Sequence, residues 1–382
     1  LQRGPRWGYA RNGTSMLCPR CHRRYADDHR FCPHDGERLV QSLDIRRIRA
    51  KPTEHVGTVV ADRYRVRGLI GSGGMAQVFL AEDTQGGAPV ALKLLEPRFR
   101  REPKVKARFL LEAKAAATVA HPNIVEVLDI GLHEGSPYLV MEFLFGESLS
   151  SLLLREKRLS PEAGLPILLQ AAAGLGAAHR AGIVHRDVKP ANVFLVGEKG
   201  DAWAAKVVDF GFAKLYEHSG LTQAGVTVGT LEYMAPEQTI SDPPDARTDV
   251  YGFGVLMYRM FSGRLPFSVT RGSSPALSPA MEEAMVLANQ LMTPPPPPNL
   301  GASPAARSLE AVILKCLRKR PENRYASMEA LVEDLGRLGR PGALAADAPI
   351  ASPDVYAAQT PYGEHAARFL YKQLGGVYGA AP

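Results

Sequence analysis

The feature that most constrains this chain is a run of polar residues, His185-Arg186-Asp187-Val188-Lys189-Pro190-Ala191-Asn192, followed downstream by Asp209-Phe210-Gly211. Asp187 supplies a carboxylate able to take a proton from a hydroxyl. Asn192 and Asp209 supply hard oxygen ligands suited to Mg²⁺. Lys189, two residues beyond Asp187, can neutralise charge that develops on a phosphoryl group in transfer. Each residue alone is an ordinary loop polar group. Their joint occurrence in this order points to phosphoryl chemistry.

Two segments nearer the N-terminus suit the same chemistry. Ile70-Gly71-Ser72-Gly73-Gly74-Met75-Ala76-Gln77-Val78 lies between two predicted strands. Glycines there let the backbone approach phosphate oxygens closely, so that its N–H groups meet their charge. Ala76 stands where a G-x-G-x-x-G pattern has its third glycine, and a strand rather than a helix follows, which disfavours a dinucleotide site. Val90-Ala91-Leu92-Lys93 then reads as a strand ending in a lysine. Glu112, on a predicted helix downstream, is an opposite charge able to hold Lys93 against phosphates.

Around these motifs the periodicity divides the chain. Short β-rich segments at 64–70, 77–82 and 90–94 are separated by glycine turns, and a helix is predicted over 105–119. Beyond Glu142 the pattern turns largely helical, with helices expected at 166–181, 249–262, 308–318 and 327–338. The expected fold class is therefore α+β, with a small sheet-rich lobe preceding a larger helical one. Residues 1–15 read as a disordered extension, 16–40 as a cysteine-bearing module and 41–60 as a linker. Residues 61–338 form the main domain, and 339–382 a flexible tail rich in Ala, Gly and Pro in which 365–374 could form a short helix. Met16 reads as the natural start of translation. The proline run at 293–298 reads as an extended connector between helices in preference to a ligand for SH3-type domains.

Hydrophobic residues make up 45% and charged ones 22% of the chain, enough to bury a core. The net charge of +7 comes from scattered Lys and Arg, so no dedicated nucleic-acid surface is expected. No apolar stretch is long enough to span a bilayer, and residues 1–15 lack the apolar core of a secretory signal. A cytoplasmic location is expected.

Three of the four cysteines lie in the short N-terminal module. Cys18-Pro19-Arg20-Cys21 forms a metal knuckle, and Cys32-Pro33-His34-Asp35 follows. In a reducing compartment that spacing favours Zn²⁺ over disulfides. The segment resembles a zinc ribbon in which Asp35 stands at the last cysteine's place. Either Asp35 or the adjacent His34 is a suitable fourth ligand. So short a segment needs such a staple to fold, and its role would be structural or in docking a partner. Cys316, on an apolar helix, reads as a buried small hydrophobe.

Taken together, residues 64–338 resemble the eukaryotic-like (Hanks-type) protein kinases, and most closely the bacterial serine/threonine branch. The resemblance implies Mg-ATP as phosphoryl donor, with Mn²⁺ an acceptable substitute, and protein Ser/Thr hydroxyls as acceptors. Ile70, Gly71, Gly73 and Val78 would cover ATP, and Lys93, paired with Glu112, would bind its phosphates. Asp187 would be the catalytic base, assisted by Lys189, with Asn192 and Asp209 as magnesium ligands. The stretch 138–144 resembles the hinge. Met141 would then be the gatekeeper, Glu142 and Leu144 would meet adenine through their backbones, and Val78, Ala91 and Phe194 would sandwich the base. Thr230 resembles the threonine that bonds the catalytic aspartate and lysine. Glu237 would pair with Arg324, and Asp249 would brace the catalytic loop. Arg186 before the catalytic aspartate implies activation by phosphorylation of Thr227 or Thr222. The rival reading is a pseudokinase scaffold, whose mark would be loss of Lys93, Asp187 or Asp209. All three are present.

Overall fold

A computed structural model describes residues 15–17, 24–25, 29–33, 40–42, 55–197, 203–210, 228–240, 242–268 and 279–338. Residues 1–14 of the expected extension 1–15, the tail 339–382 and its 365–374 helix lie outside them; Ser15, the last residue of that extension, is instead the first residue of a β-strand. The chain divides into two compact units, one containing residues 1–102 and 127–145, the other 103–126 and 146–382.

The first unit carries two sheets. A small one is built from β1 (Ser15–Leu17), β2 (Arg24–Tyr25) and β3 (Val40–Ser42), in the order β2-β1-β3 and antiparallel throughout. The larger is a six-stranded antiparallel sheet, order β4-β5-β6-β7-β9-β8. Its strands are β4 (Val59–Val60), β5 (Tyr64–Ser72), β6 (Ala76–Asp83), β7 (Pro89–Leu95), β8 (Val127–His133) and β9 (Ser136–Glu142). β4 falls inside the stretch read as linker. The first half of β5 alternates buried and exposed residues, so Tyr64 and Val66 face inward while Arg65 and Arg67 face out. Val60, Phe79, Ala81, Val90, Leu92, Tyr138 and Val140 complete this core. Within it the Tyr64 and Tyr138 hydroxyls both donate to Asp129, at 2.8 and 3.1 Å. Burial and that carboxylate push both phenols above their ordinary pKa.

The second unit begins with α1 (Pro103–Ala117), which buries Phe109, Glu112, Ala113 and Ala116. A three-stranded sheet, β10 (Gly146–Ser148), β11 (Val193–Val196) and β12 (Ala204–Val207), lies beside a set of helices. These are α2 (Leu149–Glu156), α3 (Pro161–Arg180), α4 (Pro236–Thr239), α5 (Ala246–Ser262), α6 (Pro279–Met292), α7 (Pro304–Cys316) and α8 (Met328–Arg337). α5 is buried at nearly every position from Thr248 to Phe261, as expected of a helix apolar on all sides. Leu168, Ala172, Leu175, Val255, Ile313 and Leu331 belong to the single large core around it. Gly146 opens β10 with φ +153°, and a Cβ there would lie 1.8 Å from the Leu195 carbonyl oxygen, so the site accepts only glycine.

Several boundaries differ from the periodicity-based reading for a shared reason. α3 starts at Pro161 rather than residue 166, because the Ser160 side chain caps it by accepting from the Ala163 N–H and Pro161 fills the first turn. Pro166 therefore lies inside the helix. α7 starts at Pro304 rather than 308, with Ser303 capping the Ala306 N–H. α2, α4 and α6 have no counterpart among the expected helices. The run 293–298 joins α6 to α7 without helix or strand; Pro295 and Pro298 are buried and the Pro297 carbonyl accepts from Tyr258 and Arg264. It is packed as a connector. Cys316 is fully buried and its thiol is pushed well above its ordinary pKa by that burial.

Candidate active site

The polar loop at 185–192 is held from beneath by α5. Asp249, in that helix's first turn, accepts the His185 and Arg186 backbone N–H groups, both at 2.7 Å, and meets His179 Nε2 at 2.7 Å. This is the brace expected from sequence, with His179 as an unforeseen third partner. Arg186 takes φ +66°, a left-handed conformation costly for a side chain of this size and offset here by the carboxylate on both amides. Burial lowers the Arg186 guanidinium from its usual value while Asp249 opposes that shift. His185 is fully buried. Its Nδ1 accepts the Asp187 N–H at 3.2 Å and its Nε2 meets the Val208 carbonyl at 3.0 Å, a pattern that assigns the proton to Nε2. The imidazole thereby ties Asp187 to the residue before Asp209, while its ring packs on Phe210 at 4.8 Å.

The loop's own functional groups converge on Asp187. Lys189 Nζ lies 2.9 Å from Asp187 Oδ2. Asn192 Nδ2 donates to the Asp187 backbone carbonyl at 2.8 Å and to its Oδ2 at 3.1 Å. With the amide nitrogen so used, Asn192 Oδ1 is the atom left to meet a cation. The Val208 N–H donates to the Asn192 carbonyl at 3.0 Å, so Asp209 follows directly from a residue hydrogen-bonded to Asn192. Asp209 has φ +56°. Asn192 Oδ1 and the Asp209 carboxylate are hard oxygen donors of the kind Mg²⁺ takes. Four of the sequence-predicted residues, Asp187, Lys189, Asn192 and Asp209, are thus brought together within one unit. Phe194, half-buried on β11, and Glu112, buried on α1, belong to the same unit.

The glycine-bearing residues gather in the other unit. Gly71 pairs with Val78 across the β5–β6 turn, and Val78 pairs in turn with Lys93 on β7. Gly73 donates its N–H to the Ala76 carbonyl at 2.8 Å, closing the turn, and Arg98 donates to the Gly74 carbonyl at 3.0 Å. Ile70 is exposed on β5. Ala91 faces Met141 across β7–β9, Met141 and Glu142 are buried, and Leu144 is half-buried just beyond β9. Lys93 and Glu112 fall in different units.

The expected pair of Glu237 and Arg324 forms as a buried bidentate contact at 2.7 and 2.8 Å. Thr230 lies in a 3-10 turn, Val228–Tyr233. Sequence reasoning missed Gln238, whose Nε2 donates to the Arg186 carbonyl at 2.9 Å and whose Oε1 accepts the Ala235 N–H at 3.0 Å. Its signal was its place directly after Ala235-Pro236-Glu237. Thr222, Thr227, Cys18, Cys21, His34 and Asp35 lie outside the described residues. Cys32 is buried, with Sγ 3.0 Å from the Tyr25 hydroxyl. Among the described residues no cluster of three or more His, Cys, Asp or Glu is set to hold a metal ion, and no helix is long and apolar enough to cross a membrane.

Residues 64–335 match the protein kinase domain family. The serine/threonine-protein kinase Pkn1 of Myxococcus xanthus is 39% identical over 344 residues, which cover 86% of this chain and 48% of that protein. The serine/threonine-protein kinase PknB of Mycobacterium tuberculosis is 36% identical over 285 residues, 73% of this chain and 43% of that one. The chain therefore spans about half the length of the curated relatives it matches. A crystal structure of the Mycobacterium tuberculosis PknI kinase domain aligns with TM-score 0.56 at 26% identity, covering 75% of this chain and 99% of that one.

Proposed function

This chain belongs to the protein kinase domain family, with bacterial serine/threonine kinases among its relatives, and from that membership we propose that it transfers the γ-phosphoryl of Mg-ATP to serine and threonine hydroxyls of proteins in bacterial signalling. The observation that carries the reading is the convergence of Lys189 and Asn192 on Asp187. Asp187 Oδ2 would accept the proton of the attacking hydroxyl. Lys189, already within ion-pair distance of that oxygen, would turn part of its hydrogen bonding to the phosphoryl oxygens and neutralise the charge that builds there as the bond to the acceptor forms. His185 and Asp249 would keep the loop from relaxing during transfer, so the base is positioned before substrate arrives. Asn192 Oδ1 and the Asp209 carboxylate would hold Mg²⁺, or Mn²⁺ in its place, which when bound neutralises charge on the phosphates. Ile70, Gly71, Gly73 and Val78 would cover the nucleotide, with Lys93, paired to Glu112, on its phosphates. Ala91, Phe194, Glu142 and Leu144 would form the adenine site. The test is transfer of label from γ-labelled ATP to protein by the purified chain, with phosphoamino-acid analysis of the product. Label confined to tyrosine, or none, would overturn the reading.

Regulation by phosphorylation of Thr227 or Thr222 belongs to the same proposal, and its support is Arg186, a cation directly before the catalytic base and able to pair with a phosphothreonine. The Thr222→Ala/Thr227→Ala double variant is expected to incorporate less phosphate into itself and to phosphorylate substrate more slowly. Wild-type activity and phosphate stoichiometry in that variant would end the idea.

The N-terminal module is proposed to be a zinc site of structural or docking purpose. Leu17 pairs with both Arg24 and Val40. The chain therefore leaves β1 toward Cys18, enters β2 after Cys21 and enters β3 after His34 and Asp35 at one end of the small sheet. Elemental analysis of the full chain is expected to find about one zinc per molecule, the number a four-ligand site takes, and Cys18→Ser to remove it. Metal-free wild-type protein would dispose of the site.

A further inference from the structure

A buried polar network in the second unit has no part in phosphate chemistry. Gln290 on α6 has no solvent exposure. Its Nε2 donates to the Glu232 backbone carbonyl at 2.7 Å, and its Oε1 accepts the hydroxyl of Tyr251 from α5. Lys319, itself buried, donates to the Gln290 and Asn289 carbonyls at 2.8 and 3.0 Å. Its ammonium also lies over the Phe267 ring at 4.4 Å. Removing water from four polar groups is costly unless each is satisfied. Here the amide of Gln290 is held on both of its atoms and at its own backbone, which leaves one orientation for Nε2.

What that orientation fixes is the segment ending the 3-10 turn Val228–Tyr233. Leu231 and Met234 of that segment pack with Val286 and Leu287 of α6, so the same helix grips it by apolar contact as well. The segment adjoins the catalytic loop through α5. Gly252 follows Tyr251, and a Cβ on it would lie 3.1 Å from the Val188 carbonyl and 3.5 Å from the Tyr233 carbonyl. Val188 is the neighbour of Asp187, and Tyr233 is the neighbour of Glu232. Gln238 fastens the far side of the segment to the Arg186 carbonyl at 2.9 Å.

We propose that Gln290 is a positioning residue for the protein acceptor: by holding the Glu232 carbonyl it sets residues 231–234 against the catalytic loop, and so determines how well an acceptor peptide is presented to Asp187. The inference rests on the proposed kinase activity. Residues 231–234 border the catalytic loop across Gly252, so the proposal routes the acceptor chain to Asp187 beside them. The hydrogen bonds named above join α5, α6, Lys319 and the 3-10 turn, and none of them is made to a residue assigned to the nucleotide. Loss of the Gln290 amide therefore weakens acceptor presentation and leaves ATP use unchanged.

The test compares wild type with Gln290→Met, which keeps length and apolar volume but loses both polar atoms, and with Tyr251→Phe, which removes only the hydroxyl that orients the amide. Steady-state kinetics are measured separately against ATP and against a serine/threonine peptide that the wild type phosphorylates. Gln290→Met is expected to raise the peptide KM about tenfold, the scale of one lost hydrogen bond to the segment, with the ATP KM within about twofold of wild type, the scatter of a site that adds independently. Tyr251→Phe is expected to move the peptide KM in the same direction by a smaller factor. Unchanged peptide KM in folded Gln290→Met, or equal rises in both KM values, would overturn the inference. If Gln290→Met does not fold, Tyr251→Phe decides by the same criterion. A wild type that phosphorylates no peptide would instead sink the kinase reading, so the two failures are distinguishable.

Discussion

Asp187→Asn is expected to lower kcat for protein phosphorylation by about 10²–10⁴-fold, the range supplied by a positioned general base, with ATP affinity little changed. The substitution keeps the shape of the side chain and an oxygen near Lys189 and Asn192. What it removes is the carboxylate's capacity to take the hydroxyl proton. The backbone supports of the loop do not pass through the Asp187 side chain: Asp249 holds the amides of His185 and Arg186, and His185 holds the amide of Asp187. A large fall in turnover with unchanged melting behaviour is therefore the predicted signature, read by initial-rate assays and by nucleotide titration of the same preparation. A loss confined to ATP binding would contradict the role given to Asp187.

Arg324→Met is expected to destabilise the second unit by about 3–5 kcal/mol, the cost of leaving one partner of a buried ion pair unpaired. Both side chains are shut off from solvent, at 0% and 4% exposure, which places the pair in the costly regime rather than the nearly neutral surface one. The guanidinium also donates to the carbonyls of Arg247, Arg318 and Lys319 at 2.7–2.9 Å and stacks over Tyr251 at 4.9 Å. Among the described residues, Glu237 keeps the Thr248 hydroxyl as its side-chain partner when the arginine is gone. Urea unfolding followed by tryptophan-independent far-UV ellipticity measures the change. The double variant Glu237→Met/Arg324→Met should be less destabilised than Arg324→Met alone, because no buried carboxylate is then orphaned. A single-variant cost within about 1 kcal/mol, the surface range, would show the pair to be marginal.

The motifs read as phosphate-handling were visible because each depends on residues close in sequence. Asp187, Lys189 and Asn192 sit within six residues, and the loop that carries them brings them together almost by chain geometry alone. The strands were legible for a like reason, since alternation at Tyr64, Val66 and their neighbours records a sheet with one buried face. Helix starts were less so. At Ser160-Pro161 and Ser303-Pro304 the cap and first-turn proline carried the boundary, whereas the apolar period becomes visible only a turn later. Gln290, Tyr251, Lys319 and Glu232 could not have been joined from sequence. They lie on separate elements, and nothing in an isolated glutamine on an apolar helix says which carbonyl it will meet. His179 is similar: its partner Asp249 is seventy positions away. The proposed zinc ligands, Cys18, Cys21, Cys32 and Asp35 or His34, rest on spacing, to which the small sheet adds only that the ends of its strands meet at one end.

The most direct measurement is phosphoamino-acid analysis of protein labelled by the purified chain with γ-labelled Mg-ATP, run beside Asp187→Asn. The account predicts phosphoserine and phosphothreonine from the wild type and next to none from the variant. Equal labelling by both, or nucleotide binding without any transfer by the wild type, would contradict it.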